Sequence, residues 1–367
     1  MHIQVSRQEF LNSLALIQGV VETKKTLPIL SHLLLEAEGG HIFLFGTDLD
    51  VGIRSWLEAD ITASGAVAIS AKKLYEIVRE LPEAPIELNV NPDLVVSITC
   101  LKSEFRMKGL PKEDFPSFPR WKEEGEIVLK RKGLKEMMRR TLFAVSTDQT
   151  RYTLNGVLFQ LLPQEVRMVA TDGHRLALVI KSREEIQGGG TLEALIPRKA
   201  VVEALKMLKD EEGEVRLQLQ DNQLLLELGQ SLLICRLIEG QFPNYQQVIP
   251  KKGAKRLRVS REAFQGALRR TSAIMGDRTI PTVFELRPRG MRISCVNMDV
   301  GEAREELEAD YSGEEMSIGF NTRYILEFLA VVEEAEIQVQ MNDPLSPALF
   351  QPVGEEGYIC VIMPMRI

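Results

Sequence analysis

The chain is poor in the residues that carry most covalent and metal chemistry. Its 367 residues include four cysteines and four histidines. Cys100, Cys235, Cys295 and Cys360 are far apart, and no pair has the spacing of a metal or redox site. They fall in apolar strand patterns and read as small core residues, and a disulfide framework is not expected in so large a chain. No run approaches the roughly 20 apolar residues of a membrane span. The N-terminus carries Arg7 and Glu9 and starts directly on an alternating strand, Ile3-Gln4-Val5, so no signal peptide is read and the cytoplasm is the default expectation. The Gly-x-Ser-x-Gly, phosphate-loop and His-Glu-x-x-His patterns are missing too. No metal and no cofactor are expected.

What the chain does have is repetition. Three segments open with a strand, a polar turn and an amphipathic helix: Val5-Ser6-Arg7-Gln8-Glu9-Phe10, Leu129-Lys130-Arg131-Lys132-Gly133-Leu134 and Val259-Ser260-Arg261-Glu262-Ala263-Phe264. A second helix recurs in the same order, around Leu74, Val201 and Ile325. A turn between apolar runs recurs as Thr47-Asp48-Leu49-Asp50, Thr171-Asp172-Gly173-His174 and Asn297-Met298-Asp299. The spacing is about one ordinary domain, too long for a solenoid unit. Three copies are therefore expected, each able to bury its own core. Between the helices lie period-two runs such as Ile86-Glu87-Leu88-Asn89-Val90 and Glu336-Ile337-Gln338-Val339-Gln340. They predict antiparallel sheet with two helices packed on its buried face, an α+β fold. Two Pro-rich connectors, Leu110–Pro119 and Gly240–Pro250, join the copies, and proline stiffness predicts that they are pinned.

The formal net charge is −7. Its distribution is uneven, because the six helical segments together carry +12 and the remainder −19. The excess is greatest around Lys130-Arg131-Lys132, Lys135 and Arg139-Arg140. A helix face this basic points to a polyanion.

Two motifs stand apart. Asp172 beside His174 suggests general-base work or a metal. Yet Asp172-Gly173 is also a tight-turn dipeptide, and the turn recurs in the other copies without the histidine. His174 and Arg175 are therefore read as recognition residues. The C-terminal Val361-Ile362-Met363-Pro364-Met365-Arg366-Ile367 is apolar and Met-rich, which suits either an adaptable groove or a last core strand.

Taken together, Thr26-Leu27-Pro28-Ile29-Leu30, Leu154-Asn155-Gly156, Thr171–Leu176, Phe242-Pro243-Asn244-Tyr245 and the terminal Met-Pro-Met-Arg-Ile resemble the bacterial replicative sliding clamp, the beta subunit of DNA polymerase III. The resemblance runs the full length. It implies three clamp-type domains, here 1–122, 123–250 and 251–367, with antiparallel sheets outside and two helices per domain inside. It also implies a homodimer closed head to tail as a ring. Such a protein is an accessory subunit of a DNA-directed DNA polymerase, a processivity factor with no catalytic residues of its own. Twelve helices at roughly 9 Å each would line a hole about 25 Å wide, enough for a duplex.

The expected DNA-facing residues are Lys24, Lys25, Lys72, Lys132, Arg139, Arg151, Tyr152, Lys199 and Arg269, through phosphate contacts that carry no sequence information. Of these, Lys24, Lys72 and Tyr152 match family contact positions, whereas Asp148 and Thr153 replace an amide and an aromatic. The implied partner groove falls on Leu154, Thr171, Gly173, His174, Arg175, Leu176, Pro243, Val248, Asn321, Tyr324, Val361, Met363, Pro364, Met365 and Arg366. Gln247 and Ile280 stand there in place of a cation and an aromatic. The groove would receive short apolar peptides from the polymerase III catalytic subunit, the clamp loader, other polymerases and repair factors. The implied dimer interface falls on Phe105, Met107, Ile274 and Met275. Two rivals are an enzyme built on Asp172 and His174, and a monomeric three-domain DNA-binding protein. No membrane partner is expected.

Overall fold

The computed structural model describes residues 1–21, 27–118, 125–209, 211–220, 222–251, 253–276 and 280–367, with Glu185 described by its backbone alone. Lys24, Lys25, Thr26, Pro119 and the expected 122/123 boundary lie outside the described residues.

Six α-helices occur among the described residues: α1 (Arg7–Gln18), α2 (Ala71–Glu80), α3 (Arg131–Leu142), α4 (Arg198–Met207), α5 (Arg261–Ser272) and α6 (Thr322–Leu329). They form where the apolar residues repeat at helical spacing. In α1, Phe10, Leu14 and Ile17 lie at i, i+4 and i+7 and are buried, as are Phe264 and Leu268 in α5 and Ile325, Phe328 and Leu329 in α6. None of them is long and apolar enough to cross a membrane.

The repeated arginine at the head of α1, α3 and α5 has a structural role that the pattern alone did not reveal. Arg7 donates to the carbonyls of Val78 and Arg79 at 3.2 and 2.6 Å, Arg131 to that of Met207 at 3.2 Å, and Arg261 to that of Glu334 at 3.1 Å. The acceptors lie in the last turn of α2 and at the last residue of α4, where carbonyls lack intrahelical donors and cations are favoured, and in the third copy five residues beyond the end of α6. One guanidinium thus ties each helix pair together.

The chain divides into two compact units. The first comprises residues 1–134, 185–189 and 199–237, the second residues 135–184, 190–198 and 238–367. Each unit contains a nine-stranded antiparallel sheet and a smaller one, of five strands in the first and four in the second. The expectation of antiparallel sheets with helices holds, and the two large sheets are each completed across neighbouring copies. In the first unit, strand Val51–Glu58 of the first copy pairs with Ser231–Arg236 of the second. In the second unit, Arg175–Ser182 pairs with Tyr358–Ile362 of the third copy. A sheet edge left bare exposes unpaired amides and carbonyls, and neighbouring copies cover each other's edges.

The connectors are pinned, as proline content suggests. Phe115 and Phe118 meet Phe45 edge-on at 5.5 and 4.8 Å between ring centroids. Tyr245 is buried, and its hydroxyl accepts from Arg167 at 3.0 Å and donates to Gln160 at 2.9 Å. All four cysteines are buried. Burial pushes the Cys235 thiol up to about 12, which leaves it unreactive.

In the second unit a run of aromatic contacts passes from Phe264 through Phe284, Phe320, Phe350 and Phe328 to Tyr358. It ends on Arg140, whose guanidinium lies 4.9 Å from the Tyr358 ring centre. Arg140 is 4% exposed and bonds Glu136 at 2.9 Å, Glu334 at 3.3 Å and also Glu355. Burial and the proximity of Glu334 raise the Glu355 carboxyl, despite Arg140. Burial opposes ionisation of Glu334 as well, but hydrogen bonds from its own amide and from Glu355, together with the Arg140 charge, hold it below the usual range. The pH effects are opposite in sign. Glu355 contributes stability that fades as pH rises above the ordinary carboxylate value. Glu334 contributes stability that is lost as pH falls below it. Replacing Arg140 by Met leaves three carboxylates facing one another, with an expected cost of about 3–5 kcal/mol at pH 7. Part of that loss should return near pH 5, where the acids share protons. Thermal unfolding at the two pH values measures this, and an equal loss at both would contradict it.

Candidate functional site

The richest concentration of polar side chains in the second unit surrounds the turn from Thr171 to Arg175. The turn is built almost entirely from its own side chains. Thr171 Oγ1 donates to the Arg175 carbonyl at 2.6 Å and accepts from the Gly173 amide at 3.0 Å. Asp172 Oδ1 accepts from the amides of His174 and Arg175 at 2.9 and 3.0 Å, while Oδ2 accepts from Arg175 Nε at 3.1 Å. Gly173 has φ +87°, a conformation that costs glycine little. Both carboxylate oxygens of Asp172 are therefore committed to the turn. An Asp–His base pair is not what this geometry supplies.

Locking the turn places two residues. His174 is exposed, and its carbonyl accepts from the Met363 amide at 2.8 Å. Arg175 is buried, with its guanidinium between the rings of Tyr324 at 4.3 Å and Phe143 at 5.2 Å. It also bonds Glu327 and the Phe143 carbonyl. These groups border a cavity of about 580 Å³, whose wall also includes Arg151, Arg198 and Arg323.

Beside the turn, Leu176 and Val361 share a buried apolar cluster with Tyr245, against which Phe242 packs. The tail continues from this cluster. Met363 is 42% exposed, and the Met365 amide donates to the Gly319 carbonyl at 2.8 Å. A Cβ on Gly319 would lie 2.9 Å from the Met365 carbonyl oxygen, so glycine is what lets the tail lie against that strand. Asn321 caps α6 by accepting from the Arg323 amide at 3.1 Å, and it precedes the ring of Tyr324 that Arg175 covers. Leu154 is buried, while Pro243 and Val248 are exposed. Thr171, His174, Arg175, Leu176, Tyr324, Val361 and Met363 are thus linked by direct contacts or shared packing. Val248 and Arg366 are exposed, and Pro364 is half-buried.

Two contributors escaped sequence reasoning, Glu327 and Phe143. Glu327 pairs with both Arg175 and Arg323. Its spacing of four from Arg323 on one helix face was a readable signal.

The expected DNA-facing residues fall into distinct environments. Lys72, Lys132, Arg151, Tyr152 and Arg269 are exposed. Lys72 lies 4.0 Å from Glu76, and Arg139 pairs with Glu333 at 2.5 Å. Lys199 is held in the first unit, where it donates to the Val20 carbonyl at 2.8 Å and pairs with Asp48. The α3 charge that stands out in the sequence is largely spent within the chain: Arg131 pairs with Glu211, Arg140 with three acids, and Lys130 and Lys135 also have partners. Asp148 accepts from the Thr150 hydroxyl and amide at 2.7 and 3.0 Å, which hold its carboxyl below the usual range and shape the loop leading to Arg151. Phe105 is 39% exposed, Met107 and Ile274 are half-buried, and Met275 is buried.

Three domain families match the chain in order. They are the N-terminal domain of the DNA polymerase III beta subunit over residues 1–119, its central domain over 128–244 and its C-terminal domain over 246–366. The beta sliding clamps of Pseudomonas putida and Caulobacter vibrioides are 33% and 34% identical over 369 and 375 residues, covering 100% of each chain. Among solved structures, a sliding clamp (DNA polymerase III subunit beta) from Bartonella birtlesii bound to griselimycin is similar with a TM-score of 0.95 and 36% identity, over 100% of both chains. The DNA polymerase sliding clamp of Bacillus subtilis is similar with a TM-score of 0.95 and 28% identity, over 100% of this chain and 99% of that one. Built of three clamp domains and matched to full-length relatives above 30% identity, this chain belongs to the DNA polymerase III beta subunit family, the sliding clamps that serve as accessory processivity factors in DNA replication.

Proposed function

We propose that two copies of this chain close head to tail into a cytoplasmic ring around duplex DNA, and that the groove beside His174 tethers DNA polymerase III and other partners through short apolar peptides. The domains run over 1–122, 123–250 and 251–367. The observation that carries the ring is a pair of unlike sheet edges. Strand Ser103–Lys108 is one edge of the five-stranded sheet, and it presents Phe105 and Met107 with Lys108 and with Arg106, whose guanidinium pairs with Glu104 on the same strand at 2.9 Å, a net charge of +1. Strand Gly301–Glu308 is one edge of the four-stranded sheet, and it carries Glu302, Glu305, Glu306 and Glu308 against one cation, Arg304, a net charge of −3; Glu302 pairs with Arg304, Glu305 with Arg270 and Glu306 with Arg292, while Glu308 adds to the edge's acidity. Neither edge is paired among the described residues. A long unpaired edge invites another chain. Opposite charge favours one edge meeting the other over either meeting itself, which makes the contact heterologous.

Within such a ring the exposed cations Lys72, Lys132, Arg151 and Arg269 act on phosphates, and Tyr152 adds an exposed ring. Enclosure replaces affinity, so these contacts need no base readout. Lys199, already engaged by Asp48, contributes less charge than the others. The partner groove is supported by the exposed apolar Met363 and Val248 next to the buried Leu176–Val361 cluster, because apolar surface held open beside a rigid turn suits peptide anchors.

The head-to-tail contact has a specific test. Arg106→Glu with Lys108→Glu on one edge, or Glu302→Lys with Glu306→Lys on the other, should each weaken self-association about a hundredfold or more by sedimentation. Mixing the two variants should restore dimers, since one interface is then wild type and the other doubly reversed. Failure of the mixture to pair would rule out this contact. For the groove, His174→Ala should weaken binding of a short apolar partner peptide about tenfold, with unfolding temperature unchanged. Unaltered peptide affinity would remove His174 from the site. Loaded wild-type protein should stay on circular DNA and run off linear DNA, and equal retention on both would favour the monomeric binder.

A further inference from the structure

The two nine-stranded sheets allow an internal comparison. In the second unit, register places Val179 opposite Tyr358, and Arg140 fills the space above them with its three acids. In the first unit the same register places Ser55 opposite Ser231. By the helix repeat, Leu16 stands where Arg140 stands and Ser13 where Met137 stands. The hairpin between strands Gln223–Leu228 and Ser231–Arg236 turns in two residues. Its counterpart between Ala348–Pro352 and Tyr358–Ile362 takes five, among them Glu355. Three small hydroxyl residues, a shorter helix side chain and a tighter hairpin leave the first unit with a cavity of about 350 Å³ where the second is filled.

The wall of this cavity is chemically specific. Ser55 Oγ lies 3.2 Å from Ser13 Oγ and 3.2 Å from Ser231 Oγ, and both Ser13 and Ser55 are buried. Arg131 also lines it and is 93% buried; among the described residues its Nε has no hydrogen-bond partner, as Arg140 Nε has none in the second unit. Its carboxylate partner among the described residues, Glu211, has a side chain that is 61% exposed, so that pair is weakly held. A buried guanidinium N–H without an acceptor is costly to leave unmet. Lys209 adds a second cation to the lining. Glu9 and Glu211 border the same space, and a ligand anion would displace Glu211 from Arg131.

We propose that this cavity is a binding site for a small oxyanion, a phosphate or carboxylate carried on a compact polar molecule, with Arg131 as its cation and the serine hydroxyls as donors. Bound there, the anion joins α1, the head of α3 and the end of α4 as Arg140 joins the corresponding elements of the second unit. The site is separate from the partner groove, and the proposal does not rest on the ring.

The test uses the full-length chain titrated with inorganic phosphate and, separately, with succinate at constant ionic strength, read by calorimetry and by unfolding temperature. Saturable binding of at least one probe is expected. Ser55→Val, which copies Val179, should weaken it about tenfold, equivalent to about 1.4 kcal/mol. Leu16→Arg, which copies Arg140, should abolish it while the fold persists. Saturation by phosphate alone assigns a phosphate ligand, and saturation by succinate alone a carboxylate. Failure of both to saturate, or equal affinity in wild type and Ser55→Val, would overturn the site, and the Ser55→Val comparison holds even if Leu16→Arg does not fold.

Discussion

A strand can be finished only by another strand, and the architecture of this chain follows from where its edges are finished. The first copy closes on the second through Val51–Glu58 and Ser231–Arg236, and the second on the third through Arg175–Ser182 and Tyr358–Ile362. Antiparallel pairing across each seam satisfies backbone groups that would otherwise face water or an unwanted partner. This is why three repeats form two compact units, with the central copy divided between them. The strands Ser103–Lys108 and Gly301–Glu308, in the first and the last copy, are among the sheet edges that remain. In this reading the ring is the same edge rule applied once more, between molecules.

Much of the fold was legible in the sequence, and the reason is physical. Helices and half-buried strands announce themselves by the period of their apolar residues, because burial acts on one face at a time. Phe10, Leu14 and Ile17, or Ile86, Leu88 and Val90, are visible without coordinates. The seams were not legible. Nothing in the period of Val51–Glu58 says whether its neighbour lies within its own copy or the next, since pairing is a long-range choice. The role of the helix-head arginines was hidden for the same reason, as their acceptors lie about 70 to 80 residues away.

The candidate site was legible in part. Resemblance located the turn at Thr171–Arg175 and the tail, and the structure links them through the Met363 amide and the His174 carbonyl. Charge was a poorer guide. Counting cations on α3 overstates what that helix offers to a polyanion, because Arg140 is buried against Glu136, Glu334 and Glu355 and Arg131 is buried with Glu211 as a partner. A sequence records a charge but not its partner. A buried pair contributes geometry and little external field.

The two seams show how one scaffold acquires a site at one place and not the other. Both carry the same turn. Thr47 and Asp48 repeat the hydrogen bonds of Thr171 and Asp172, with Leu49 at φ +79° where Gly173 has +87°. Both turns accept an amide from the paired strand at 2.8 Å, Asp50 from Arg236 and His174 from Met363. The backbone is therefore not what distinguishes them. At the first seam Lys199 closes over Asp48, and the chain runs on past Arg236 into the next connector. At the second, Arg175 takes the place of Val51 and reaches to Glu327, and the chain after Met363 is a short apolar tail laid beside Gly319. An exposed Leu49 in a left-handed conformation is strained where glycine is not. At the second seam a Cβ on residue 173 would also crowd Arg151, 3.1 Å away, which glycine avoids. On the proposed reading of the groove, function lies where copies of one turn have diverged in side chain while their hydrogen bonds stayed the same.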